Sequence, residues 1–312
     1  MQLINRKLAG LVQLYSEGSW KTALRKRWNF KGDYDFINRS RSKNKLIIIV
    51  AGYKQQLWEM IFPRFKKYFN SEYDVCIVVP GKKNKQLASI AELNGWSLLE
   101  TKDNKIALGQ NLAILLHGQA DIICKLDEDI FIGNGFLEGL EEALLKTEID
   151  GRHKVGFVAP VMNVNGFTIH KFLERIGKSK DFQDKFGIVP YSCVDTPVWS
   201  NVSIAEYLWV NTHPFDKITE LFFSDPYSIL ICHHRFSIGA ILFRRKQWEL
   251  MNGFTVSLPG VLGMEEIDLC AWCNKNSQAM VIASRVFAGH AGFSGQINAI
   301  EKILKDRNDI KV

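Results

Sequence analysis

Three groups of residues have types and spacings suited to chemistry. The first is Lys125-Leu126-Asp127-Glu128-Asp129, where three carboxylates follow an apolar run. Acids this close repel one another unless a cation or a network of donors offsets the charge. Hard carboxylate oxygens suit Mg2+ or Mn2+, and such an ion can bridge to a diphosphate. A solvated acidic turn would show the same letters. The second group is Gly263-Met264-Glu265-Glu266-Ile267-Asp268-Leu269. The dipole favours acids in a first helical turn, and a carboxylate there can also act as a general base toward an alcohol. The third is Ala288-Gly289-His290-Ala291-Gly292, a glycine-flanked histidine that is a ligand candidate.

Other signals are weaker. Cys270-Ala-Trp-Cys273 has the spacing of half a zinc or redox site, but it falls mid-helix with no second pair. His233-His234-Arg235 could meet a phosphate or end a strand. The aromatics of 199–227 could stack on sugar rings or form a satellite core, and the second reading is favoured.

These residues need elements to hold them. Residues 46–162 alternate strand and helix. Strands are expected over 46–50, 74–79, 96–100, 121–126 and 155–161, and helices over 55–69, 84–94, 108–117 and 135–146. That rhythm implies right-handed βαβ units and a mostly parallel sheet, whose carboxyl ends bind ligands. The acid strip stands at such an end. Residues 163–235 lack clear periodicity and read as a long irregular insertion. Regularity returns with strands over 237–244 and 279–286 and helices over 246–251, 265–274 and 296–305.

The chain has 312 residues and 46% hydrophobic content, enough for a sizeable core. No apolar run approaches the roughly 18 residues that span a bilayer, and the first thirty residues carry no signal-peptide pattern. Six cysteines are too sparse for a disulfide scaffold, so a cytoplasmic setting is expected. The net charge of +7 is uneven. Residues 1–45 hold eleven Lys/Arg against three Asp/Glu, and the rest of the chain sums to −1. A near-neutral body argues against a nucleic-acid binder. Within the arm, Ile4, Leu8, Leu11 and Tyr15, then Trp20, Leu24 and Trp28, recur at helical spacing. Such a basic amphipathic helix suits an anionic membrane surface, or packs on the body.

The three groups, in this order, resemble the inverting family-2 glycosyltransferases of GT-A fold, over roughly residues 45–295. Lys105-Ile-Ala-Leu-Gly-Gln-Asn111 is similar to the family's segment before the D-x-D strand. The run from Phe236 to Arg245, with Trp248 and Asn252-Gly253-Phe254, is similar to the block before its E-D. Glu265-Glu266-Ile267-Asp268-Leu269-Cys270 is similar to its E-D-V-D-L-C run. The resemblance implies an α/β, Rossmann-like, mostly parallel sheet flanked by helices. It divides the chain into the arm (1–45), a nucleotide-sugar-binding half (46–162) and an acceptor-binding half (163–312). It implies a donor-binding set of Asp127, Glu128, Asn111, Lys105 and Lys82, with Mn2+ or Mg2+ on Asp129 and His290. Glu266 stands at the family's catalytic Asp, a departure by one methylene, with Glu265 and Asp268 as alternatives. A second departure is Pro80-Gly81-Lys82-Lys83, where the family usually places a base-reading Asp. The implied activity is hexosyl transfer from a nucleotide sugar, preferably a UDP-sugar, to a saccharide or lipid-linked hydroxyl. Cell-surface polysaccharide or glycolipid assembly at the inner face of the cytoplasmic membrane would suit it. A sugar nucleotidyltransferase and a non-catalytic carbohydrate-binding relative are the alternatives.

Overall fold

The computed structural model describes residues 28–81, 83–191, 196–257, 263–292 and 294–306, the side chains of 294 and 295 excepted. Ten strands form the sheet: β1 (Tyr34–Ile37), β2 (Lys45–Val50), β3 (Tyr73–Pro80), β4 (Ser97–Thr101), β5 (Ile122–Asp127), β6 (Ile130–Phe131), β7 (Lys154–Met162), β8 (Ile229–Cys232), β9 (Ala240–Arg244) and β10 (Gln278–His290). Their order is β1-β4-β3-β2-β5-β9-β7-β10-β6, with β8 also on β10.

The β-branched run after Lys45 is buried along its length because β2 is central, paired in parallel with β3 on one side and β5 on the other. Helices Trp58–Tyr68, Lys85–Asn94 and Ile106–Leu116 make the crossovers that carry the chain out to β4 and back to β5. Their ends are specified locally. Asn84 accepts from the Leu87 N–H at 3.0 Å, and Gly95 closes the same helix at φ +67. The winding reverses between β2 and β5, the point at which open α/β sheets form a ligand crevice. The acid strip follows β5 there, beside the loop that leaves β2.

β7 and β10 are parallel, and β9 runs antiparallel between β5 and β7. Following the pairings, β2, β3, β4, β5, β7 and β10 point one way and β1, β6, β8 and β9 the other. The fold is α/β, a mixed and mostly parallel sheet flanked by helices.

Three segments differ from expectation. Tyr34–Ile37, inside the stretch read as an arm, is an edge strand on β4. Residues 1–27, with most of the helical pattern and Trp20 among them, lie outside the described residues. The stretch read as irregular contains helices Ile169–Arg175, Ser179–Phe186, Pro197–Ser200, Val202–Val210 and Phe215–Phe223, and β8. Each helix has at most nine residues, so too few turns exist to show a period. Trp209, Phe215 and Phe222 are fully buried, and Phe222 stacks on Phe287 of β10, so these aromatics are core. Finally, β10 runs on to His290 through a register shift between Ala283 and Phe287, where Ser284 and Arg285 interrupt the apolar pattern.

Candidate functional site

Each acid of the strip has its own counterpart. Asp127 ends β5, with its N–H on the Gly239 carbonyl at 2.8 Å and its Oδ1 2.7 Å from Lys125 Nζ. Lys125 is buried and also donates to the Ile238 carbonyl at 2.8 Å. Asp127 keeps a third of its side chain in solvent and is the open acid of the three.

Glu128 points the other way. It accepts from the N–H groups of Gly52 (3.0 Å), Tyr53 (2.7 Å) and Lys54 (3.0 Å) and from Trp58 Nε1 (2.5 Å). Burial pushes its pKa up against these four donors. Glu128, expected to bind the donor, is placed here with its carboxylate on the loop after β2. That loop also carries Tyr53, whose Oη donates to Asn104 Oδ1 at 2.5 Å, linking the ends of β2 and β4. Burial, then the charges of Glu128 and Glu265, raise the Tyr53 phenol to about 12.

Asp129 is 1% exposed and forms an ion pair with Lys54, and His290 Nε2 lies 3.4 Å from the same oxygen. Burial alone would raise this carboxyl, but Lys54 and His290 outweigh it and hold the group well below the usual carboxylate range. Pairing of Ile130 with His290, and of Phe131 with Gly289, brings the two residues together. The Ala291 N–H donates to the Asp129 carbonyl at 3.0 Å. The ring of His290 is fixed by a 2.8 Å contact from Nδ1 to the Val164 carbonyl. A carbonyl only accepts, so Nδ1 donates to it, and Nε2 is the ring nitrogen that faces Asp129.

The supports of His290 were invisible in the sequence. Asn163 Oδ1 accepts its N–H at 2.9 Å, and Trp209 Nε1 donates to its carbonyl at 3.0 Å. A Cβ on Gly289 would lie 2.8 Å from Trp209, which accounts for the glycine. Only the flanking glycines hinted at this close approach.

The two adjacent glutamates diverge. Glu266 Oε1 meets Arg235 Nε at 2.5 Å, and its Oε2 accepts from the Ile238 N–H at 3.3 Å. Among the described residues Glu265 accepts only from its own N–H. Burial raises its pKa, the charges of Asp127 and Glu266 add to that, and Lys125 opposes it. Glu265 thus lies within the field of the Asp127–Lys125 pair, and among the described residues no other side chain engages its carboxylate. Asp268, a turn later on helix Met264–Lys275, makes no hydrogen bond or ion pair among the described residues.

Asn111, also expected to contact the donor, is bonded within the fold. Its Nδ2 donates to the carbonyls of Asn29 (2.9 Å) and Phe254 (2.8 Å). Its Oδ1 accepts from Trp248 Nε1 (2.9 Å) and the Phe254 N–H (2.8 Å). Fully buried and fully bonded, it joins residues 29, 111 and 248–254 and has nothing left for a nucleotide. Lys105 sits before helix Ile106–Leu116, 3.0 Å from Asp103 and a third exposed, on the edge where β4 ends. Lys82 lies outside the described residues. Cys270 and Cys273 are buried, and burial raises both thiols to about 12, so neither is a ready thiolate. The five described cysteines are all free and buried; Cys193 lies outside the described residues.

Asp129 and His290 are the two residues here that could hold a divalent ion. Among the described residues no third His, Cys, Asp or Glu completes such a group. No helix of the described residues is long and apolar enough to cross a membrane.

No family model and no curated protein matches the chain. Among solved structures it is similar to a mannosyltransferase of Pyrobaculum calidifontis in complex with GDP-Man and Mn2+, at 14% identity and a TM-score of 0.49. The match covers 89% of this chain and 66% of that one, so this chain spans just under two thirds of that protein's length.

Proposed function

We propose that the chain is an inverting glycosyltransferase that moves a sugar from a nucleotide-sugar donor to a hydroxyl acceptor. The observation that carries this reading is a division of labour at one sheet edge. Asp129 and His290 converge at the acid strip, and Glu265, with no other residue on its carboxylate among the described residues, lies within the field of Asp127. The pair offers a charge site for a leaving diphosphate, and Glu265 offers a base.

Asp127, the exposed acid, contacts the nucleotide, and Lys105 stands at the rim for phosphate. Asp129 and His290 would hold Mn2+ or Mg2+, the carboxylate oxygen suiting either ion. The bound ion supplies Lewis-acid stabilisation of the leaving diphosphate. Glu265 takes the proton from the acceptor hydroxyl as its oxygen attacks the anomeric carbon, and single displacement inverts that carbon. Glu265 replaces Glu266 as the base because Glu266 is committed to Arg235 and the Ile238 N–H. The acceptor is a saccharide or lipid-linked hydroxyl, with residues 1–27 resting on an anionic membrane surface during surface-polysaccharide assembly.

A nucleotidyltransferase needs a phosphate cradle after the first central strand. Here three N–H groups of that loop are turned onto Glu128, which disfavours the alternative. The test is product analysis with Mn2+ present. Nucleoside diphosphate released from a UDP- or GDP-sugar, and lost in Asp129→Ala, is the expected result. Pyrophosphate release from a nucleoside triphosphate and a sugar phosphate would favour the alternative, and no turnover with either would favour a binding protein.

A further inference from the structure

Lys54, on the loop after β2, is held by two other elements at once. Its N–H is on Glu128 at 3.0 Å, its ammonium is paired with Asp129, and the same ammonium donates to the Gly292 carbonyl at 2.9 Å. Glu128 and Asp129 belong to the acid strip, and Gly292 to the segment after β10. An ammonium and a divalent cation ask the same of a carboxylate, namely an oxygen lone pair and negative charge. Two cations on one oxygen repel strongly in a buried setting. A buried carboxylate with no counter-charge is also costly, so the position on Asp129 needs a cation before any donor arrives.

We infer that Lys54 is the resident counter-ion of this site. It holds the cation position on Asp129 while no donor is bound, and it must leave that carboxylate before a divalent ion settles there. Metal alone therefore binds poorly. A nucleoside diphosphate reverses the balance, because its charge attracts the metal and gives the displaced ammonium a new acceptor. Metal and donor affinities are thereby coupled, each raising the other. The inference rests on the transferase reading for the identity of the site and concerns the order in which it fills.

The experiment is titration of the full chain with MnCl2, followed by the electron paramagnetic resonance of free Mn2+ and by calorimetry. Wild type, Lys54→Met, Lys54→Arg and Asp129→Asn are compared with MnCl2 alone and with GDP or UDP added. Without nucleotide, Lys54→Met is expected to bind Mn2+ about tenfold tighter than wild type or more. Lys54→Arg keeps the weak wild-type affinity, and Asp129→Asn removes the site. Either diphosphate narrows the gap between wild type and Lys54→Met. Lys54→Gln gives the same comparison should methionine impair folding. Equal or weaker Mn2+ affinity in the uncharged variants overturns the inference, and diphosphate-dependent binding in wild type would then leave the transferase reading standing. Absence of Mn2+ binding in every variant, with either diphosphate present, overturns both.

Discussion

At the scale of single residues, adjacent glutamates have been given opposite tasks. Among the described residues Glu265 has no partner beyond its own N–H, whereas Glu266 is tied to Arg235. Glu265→Gln is predicted to lower kcat by about 10²–10⁴-fold with the fold intact. Glu266→Gln breaks an ion pair whose arginine is a third exposed, and should cost about 1 kcal/mol of stability while keeping turnover of the wild-type order. Kinetics and urea melts of both variants check this. The pH dependence has a definite sign. A base must be ionised, and burial raises Glu265, so activity falls as pH drops through that raised pKa. The acidic limb of kcat/KM should lie above the ordinary glutamate value of about 4.3. A limb at or below that value would remove Glu265 from the role.

At the scale of elements, the site depends on two strand ends and on what braces them. Asn111 braces from a distance, with four hydrogen bonds that gather three segments. Asn111→Ala is expected to cost about 3–4 kcal/mol in urea unfolding, because it strands several buried partners at once. Diphosphate affinity of the molecules that remain folded should be unchanged; a selective loss of affinity without destabilisation would restore a donor-binding role. The buried strands, the crossover helices and the acid strip were legible because strands buried on both faces and helices of ten or more residues leave clear patterns. The helices of 163–235 were not, each having nine residues or fewer and so too few turns to show a period. Nor was the fate of Glu128 or Asn111, since a side chain that reaches back to fold a loop has the same letter as one that reaches out to a ligand. The histidine was readable from its glycines, but its supports Asn163 and Trp209 depend on contacts distant in the chain.

At the scale of the molecule, the basic stretch divides in two. Residues 28–45 join the body through β1 and Asn29. Residues 1–27 keep six Lys/Arg against one Glu and an apolar helical spacing. Removing residues 1–27 is predicted to abolish binding to vesicles of anionic lipid, and salt should weaken the binding of the full chain. Equal sedimentation of both forms with vesicles would assign the arm to packing on the body.

The most direct test of the central claim is thermal unfolding with a panel of nucleoside diphosphates, each with and without Mn2+. A ligand bound only by the folded state raises Tm by mass action. One diphosphate should raise Tm only when Mn2+ is present, and Asp129→Ala should lose that rise while Glu266→Gln keeps it. No rise with any diphosphate at saturating concentration would contradict a nucleotide-sugar site at the acid strip.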